Sequence, residues 1–191
     1  EVKGFKRIGR KVVGVETDRG VVSADEVVLA AGSWSPGIAH SLGLDLPIQA
    51  AKGYSVSYKK PVHSLNIPVM LAEAKAAVTP MGTMLRVGGT LELAGLDLSI
   101  NKKRVHALLQ AAKYLLPAIN FDALPVIKTW AGLRPTTPDG LPLLGRSKVF
   151  DNLIIAAGHA MMGISMGPGT GLLVAQEISG ERKYMDTTMF D

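Results

Sequence analysis

Polar and apolar positions alternate along Lys11–Glu16, a valine-rich stretch whose period of two predicts a β-strand. Thr17-Asp18-Arg19-Gly20 reads as a turn, and Val21–Ala24 returns beside it; the opening of the chain also reads as strand. Glu26-Val27-Val28-Leu29-Ala30-Ala31-Gly32 is different: a short continuous apolar run closed by glycine, the pattern of a strand covered on both faces. Ser33–Pro36 then predicts a turn and Gly37–Leu42 a short helix. From Pro47 the texture shifts to short alternating segments, Gly53–Lys59, Val69–Glu73, Ala76–Thr79 and Thr83–Glu92, with Pro80-Met81-Gly82 as a turn. These predict an antiparallel meander that needs a helix over one face.

Asn101–Leu116 supplies that helix. Val105, Leu108, Leu109, Ala112, Leu115, Leu116 and Ile119 recur at helical spacing, Ser99 or Asn101 caps the start, and Pro117 stops it. Val126–Trp130 predicts another strand, and the proline- and glycine-rich segment Gly132–Gly145 a stiff irregular loop. Leu153–Ala157 is a second buried strand; a glycine-rich loop follows, then a helix over Leu172–Ser179 closed by Gly180. The two buried strands lie near opposite ends of the chain with the meander between them. The fold class expected is therefore α/β with mixed α+β character: a lobe made of residues 1–48 and 145–191, interrupted by an antiparallel-sheet lobe of residues 49–144.

Composition narrows the chemistry. With no cysteine, disulfides, thiolate metal sites and a cysteine nucleophile are excluded. The net charge of +5 is scattered apart from Lys102-Lys103-Arg104, and aromatics at 5% are too few for base stacking, so a nucleic-acid partner is not expected. No apolar run is long enough for a transmembrane helix, and residues 1–14 lack the apolar core of a signal peptide. The chain opens without methionine inside a strand pattern, so a fragment of a longer protein is expected.

Three segments carry candidate chemistry. Gly158–Gly171 joins a buried strand to a helix through five glycines in fourteen residues, and a helix N-terminus with closely approachable backbone suits an anionic or electron-rich ring edge; tight strand–helix packing is the alternative. Its Gly163-Ile164-Ser165-Met166-Gly167 is not a hydrolase elbow, because the strand ends too early and no histidine follows His159. Arg134, beside a rigid Pro135-Thr136-Thr137-Pro138 turn, can hold a carboxylate through two parallel hydrogen bonds or can pair with a neighbour such as Asp139. Val27–Gly32 followed by Ser33-Trp34-Ser35 has the form of a nucleotide-site edge. No G-x-G-x-x-G follows the first strands, so the chain alone builds no dinucleotide phosphate site. His40, His63, His106 and His159 show no metal-ligand spacing.

Taken in order, Val27–Ser35, Lys52-Gly53-Tyr54-Ser55, Trp130–Gly140 and Gly158-His159 with its glycine loop resemble the FAD-dependent family of D-amino-acid dehydrogenase, D-amino-acid oxidase, glycine oxidase and sarcosine oxidase. The dehydrogenase branch is nearest, through Lys-Gly-Tyr-Ser and Leu-Arg-Pro-x-Thr-Pro-Asp-Gly. The resemblance implies FAD as cofactor, held by Gly32, Ser33, Trp34, Gly158, His159, Ala160, Met161, Met162, Gly163, Ile164 and Ser165, with the Val2 backbone at the adenine. It implies Arg134 as the substrate-carboxylate anchor, with Tyr54, Met161 and Met162 near the substrate. No side chain is assigned as an acid or base: hydride passes from the substrate Cα to flavin N5, and the imino acid hydrolyses in water. Met161 and Met162 replace an arginine of the glycine oxidase type, which implies a substrate with a larger body. The electron acceptor implied is a quinone chain or oxygen, and the location cytoplasmic or peripheral on the inner face of the membrane. A glycine- or sarcosine-oxidase relative and a non-catalytic binding module are the alternatives.

Overall fold

The computed structural model describes residues 1–190. In chain order it contains β1 (Val2–Ile8), β2 (Lys11–Thr17), β3 (Gly20–Val22), β4 (Val27–Leu29), α1 (Ser35–His40), β5 (Gln49–Lys59), β6 (Val69–Leu71), β7 (Ala76–Met81), β8 (Met84–Glu92), α2 (Lys102–Leu115), β9 (Val126–Thr136), β10 (Leu143–Arg146), β11 (Leu153–Ala157) and α3 (Gly163–Ser179). These group into two compact units: Glu1–Ala50 with the chain from Arg134 onward, and Ala51–Leu133. The chain passes from one to the other within β5 and again within β9. Among the described residues no helix is long and apolar enough to cross a membrane.

The first unit holds an antiparallel sheet, β1-β2-β3, and a mixed sheet, β10-β11-β4. In the mixed sheet β11 runs parallel to β4, pairing Leu153 with Val27 and Ile155 with Leu29, and antiparallel to β10. A parallel pair needs a long crossover, and here the crossover contains the whole second unit. Asn152 joins the two sheets. Its Oδ1 accepts from the Val12 N–H at 2.9 Å, and its Nδ2 donates to the carbonyls of Val12 and Asp25, each at 2.9 Å. Val12, Leu29, Ala39, Leu42, Phe150 and Leu153 form the core around that joint. Arg146 ties α3 to the mixed sheet, donating to Glu26 at 2.9 Å and to Glu177 at 3.1 Å.

The second unit is a five-stranded sheet in the order β6-β7-β8-β5-β9 with α2 over one face. The Asn101 side chain accepts from the N–H groups of Lys103 and Arg104, which satisfies the first turn of α2. Leu108 and Ala112 then bury against Val56, Tyr58, Val78, Leu85 and Val87. The helix sits close because Gly89 has no side chain: a Cβ there would stand 2.8 Å from Leu108 Cδ1 and 3.1 Å from the Lys75 carbonyl oxygen.

Several expectations change. Val28 is 39% exposed, so β4, at the end of the mixed sheet's strand order, is not covered on both faces. The loop foreseen over Gly132–Gly145 is mostly strand: β9 continues through Pro135 to Thr136, and β10 begins at Leu143. The helix foreseen at Leu172 starts at Gly163, so most of the glycine-rich stretch is helical. Residues 134–144 were expected with the inserted lobe, but they group with the first unit. The cause is their bonding: Thr136 Oγ1 donates to the Gln49 carbonyl at 2.7 Å, and β10 pairs with β11.

Candidate functional site

The site grows from the end of β11. Gly158 follows it at φ +86°, and a Cβ there would stand 2.8 Å from Thr137 Cγ2 and 3.5 Å from the Leu143 nitrogen. Only glycine combines that backbone with so close an approach. Ala160 is one of the few non-glycine residues at positive φ, +47°, a conformation that costs an L-residue about 1–2 kcal/mol. It is held there by its N–H, which donates to the Pro135 carbonyl at 2.9 Å. A single hydrogen bond thus fastens the 158–162 loop to the residue after Arg134.

The Met162 N–H closes the turn onto the His159 carbonyl at 2.9 Å, and α3 begins one residue later. No side chain caps α3, so its leading N–H groups, at Gly163, Ile164 and Ser165, have no side-chain acceptor. Unsatisfied donors and the positive end of the helix dipole favour negative charge in front of this turn. Around it stand apolar side chains turned to solvent: Met161 at 74% exposure, Met162, and Ile164 at 95%. Such a mixture of backbone donors and flat apolar cover suits one face and one polar edge of a heteroaromatic ring better than it suits a phosphate. His159 faces inward, sharing a 2.9 Å hydrogen bond with Thr170 Oγ1 on the second turn of α3; burial lowers its pKa, which favours the neutral ring.

Arg134 lies on β9 and is half-buried, and burial lowers its pKa without removing a charge that arginine keeps throughout the working range. The turn beyond it is internally bonded: Thr137 Oγ1 donates to the Leu141 carbonyl at 2.7 Å, and Asp139 Oδ1 accepts from the Leu141 N–H at 3.0 Å.

The structure therefore brings Arg134 and the loop Gly158–Ser165 together in one unit. Gly32, Ser33 and Trp34 join them by topology: they follow β4, which is parallel to β11, so the two segments leave the sheet at the same edge. That edge is where open α/β sheets bind ligands. The hydroxyls of Ser33 and Ser35 are buried there with no hydrogen-bond partner, which leaves hydrogen-bonding capacity at this edge for a polar group to take up. Val2 lies on β1, in the other sheet of the same unit. Tyr54 belongs to the second unit. It is 2% exposed in the second unit, on the same side of β5 as Val56 and Tyr58, the side α2 covers, and its hydroxyl donates to Glu92 Oε2 at 2.6 Å. Within that unit Glu92 also pairs with Arg104 of α2 at 3.1 Å. Thr137 and Thr170, which brace the loop, carry no signal in the sequence: each matters through a residue at least eleven positions away.

Residues 1–177 match the family described as FAD dependent oxidoreductase. A D-amino acid dehydrogenase of Granulibacter bethesdensis is 38% identical over 97% of this chain and 44% of its own length. A glycine oxidase of Pseudomonas aeruginosa is 37% identical over 97% of the chain and 50% of its own. The crystal structure of glycine oxidase from Geobacillus kaustophilus superposes with a TM-score of 0.91 at 31% identity, over all of this chain and 51% of that one. The chain belongs to the FAD-dependent oxidoreductase family. It spans about half the length of the curated relatives it matches.

Proposed function

We propose that this chain is the catalytic part of an FAD-dependent amino-acid dehydrogenase that oxidises the CH–NH2 group of D-amino acids. The observation that carries the reading is the Ala160 N–H to Pro135 carbonyl bond. It holds an arginine suited to a carboxylate and a loop suited to a ring cofactor as one rigid piece, and amine oxidation requires those two groups at a fixed separation.

In this reading Arg134 takes both oxygens of the substrate carboxylate. Gly158–Ser165 and Gly32–Trp34 would hold the flavin ring, and the Val2 backbone would meet the adenine. When bound, the flavin accepts the two electrons; the protein supplies orientation and electrostatics. The α3 N-terminus stabilises negative charge at the ring's polar edge, and a neutral His159 behind the loop adds no competing charge. Met161 and Met162 form an apolar, adaptable wall that excludes water and accepts a substrate larger than glycine. The product imine hydrolyses in water. Electrons leave to a quinone chain or to oxygen, in a cytoplasmic protein that contacts the membrane's inner face peripherally when quinone is the acceptor.

The test is the visible spectrum of the full-length protein, followed anaerobically as D- and L-amino acids are added. Flavin absorption that bleaches with D-alanine or D-leucine and not with glycine supports the reading. Bleaching with glycine or sarcosine alone moves it to the oxidase branch, and a colourless protein that takes up no FAD leaves a binding module.

A further inference from the structure

The face of the second unit's sheet that α2 leaves uncovered is unlike the other. Leu85, Val87, Val56 and Tyr58 point into the α2 core, so alternation sends Arg86 and Gly88 of β8, and Ser55 and Ser57 of β5, to the opposite face. Register sets them side by side: Ser57 pairs with Arg86 and Ser55 with Gly88. The Arg86 guanidinium lies 6.0 Å from the centre of the Trp130 ring. That indole is folded back over Gly132, where a Cβ would come within 2.3 Å of it. Glycine at 132 thus lets the ring lie flat along the strand and hold the guanidinium.

Two polar atoms of this cluster have no partner. Arg86 Nε is buried without an acceptor, and so is Ser55 Oγ, on a residue 5% exposed. Among the described residues no carboxylate forms an ion pair with Arg86. Buried donors in native proteins are almost always satisfied, and packing an arginine on an indole needs no second orphan beside it. Gly88 places no side chain opposite Ser55: a Cβ there would stand 3.7 Å from the Tyr54 carbonyl oxygen and 4.0 Å from Ser55 Cβ. Lys128, two residues before Trp130 on the same face, is exposed and adds positive potential. A guanidinium oriented by stacking, an unpartnered hydroxyl on the neighbouring strand and a glycine opposite that hydroxyl are the parts of a carboxylate site.

We infer that Arg86 and Ser55 form a second carboxylate-binding site, separate from Arg134. Arg86 takes the carboxylate through its fork of N–H groups, and the Ser55 hydroxyl donates to one of its oxygens. The carboxylate is the side-chain group of an acidic amino acid or that of a free small dicarboxylate; the chemistry is the same and the experiment separates the two. The kinetic arm below rests on the amino-acid reading of the protein, and the binding arm does not.

Binding is measured by calorimetric titration of glutarate into full-length protein carrying Arg134→Met, which removes the other carboxylate anchor. Saturable binding is expected, weakened at least tenfold by Arg86→Met, partly restored by Arg86→Lys, and weakened severalfold by Ser55→Ala, with circular dichroism unchanged. Loss of one charge-assisted hydrogen bond predicts that scale. In the kinetic arm Arg134 is intact. A tenfold or larger fall in kcat/KM for D-glutamate with D-leucine unaffected in Arg86→Met names the substrate side chain as the ligand. Unchanged kinetics with lost glutarate binding names the free dicarboxylate. Absent glutarate binding, or an affinity within twofold of the parent in both Arg86→Met and Ser55→Ala, overturns the site. A protein that oxidises no amino acid but still loses glutarate on Arg86→Met keeps the site and refutes the enzyme reading instead.

Discussion

Gly158→Ala tests the joint on which the functional reading depends. The glycine sits at φ +86°, and the added methyl would meet Thr137 Cγ2 at 2.8 Å, the Leu143 nitrogen at 3.5 Å and Pro142 Cα at 3.7 Å. The backbone term alone costs about 1–2 kcal/mol for an L-residue. The contact with Thr137 is not easily relieved, because Thr137 Oγ1 is held to the Leu141 carbonyl at 2.7 Å and the adjoining Pro135 carbonyl is held by Ala160. Overpacking of that kind costs about 1–3 kcal/mol, so the sum lies at about 2–5 kcal/mol. Moving the corner also moves the leading turn of α3, so FAD affinity should fall at least tenfold, which corresponds to about 1.4 kcal/mol. The assay is urea unfolding of the full-length protein with a parallel FAD titration of the apoprotein. Ala160→Gly, two residues on, has the opposite sign: relief of the positive φ at +47° should raise stability by up to about 1 kcal/mol, less the entropy that glycine adds to the unfolded chain. If Gly158→Ala unfolds within about 0.5 kcal/mol of the parent and binds FAD equally well, the corner is soft. The claim that it positions both the arginine and the loop then fails.

Three further outcomes are expected. Arg134→Met should lower kcat/KM for amino acids by a factor worth about 2–5 kcal/mol, the range for truncating one partner of a desolvated charge pair, while FAD affinity stays within threefold; unchanged steady-state kinetics would remove Arg134 from the site. Asn152→Ala deletes the three hydrogen bonds that join the first unit's two sheets and leaves a buried Val12 N–H unpaired, so urea unfolding should show a loss of about 2–4 kcal/mol. Hydrogen bonds from Lys52 Nζ, at 2.7 Å, and then from Ser99 hold the Asp97 carboxyl well below the usual carboxylate range. A depressed folded pKa stabilises above the unfolded value, near about pH 4, and is lost as pH falls through the folded one. Urea midpoints should therefore drop more steeply between about pH 4 and pH 2 in the parent than in Asp97→Asn, and parallel slopes would show that the pair contributes nothing.

Where one physical rule acts alone, the chain is legible. The α2 stripe and its Asn101 cap follow from spacing and from one side-chain acceptor, and both are where the pattern puts them. The antiparallel strands β5, β7 and β8 follow from alternation. The same rule could not orient β5, because residues 50–58 are buried on both sides: Tyr54 is indistinguishable from Ser55 by pattern, and it took the position of α2 to show that Tyr54 faces the helix. The glycine-rich stretch failed for another reason. Gly163, Gly167, Gly169 and Gly171 with Pro168 read as loop by intrinsic propensity, yet they form the first half of α3. At Gly169 the demand is one of space: a Cβ would lie 2.9 Å from the Tyr184 hydroxyl, where the C-terminal segment crosses the helix. Glycine chosen for close approach looks the same in sequence as glycine chosen for a turn.

The candidate site shows how far that ambiguity reaches. Arg134, His159 and the residues after β4 could be named from their motifs, but the reason they act together could not. The bond from Ala160 to Pro135 spans residues of no particular chemistry, and its geometry depends on an alanine held at positive φ. Neither residue type predicts that conformation. It arises because Gly158 lets β11 turn sharply against Thr137 and so presents the next free N–H to the strand that bears Arg134. Motifs pick out the candidate groups, whereas their separation is set by backbone contacts among unremarkable neighbours. Substitutions at Gly158, Ala160 and Thr137 should accordingly alter cofactor and substrate binding together, while those at Arg134 should alter substrate binding alone.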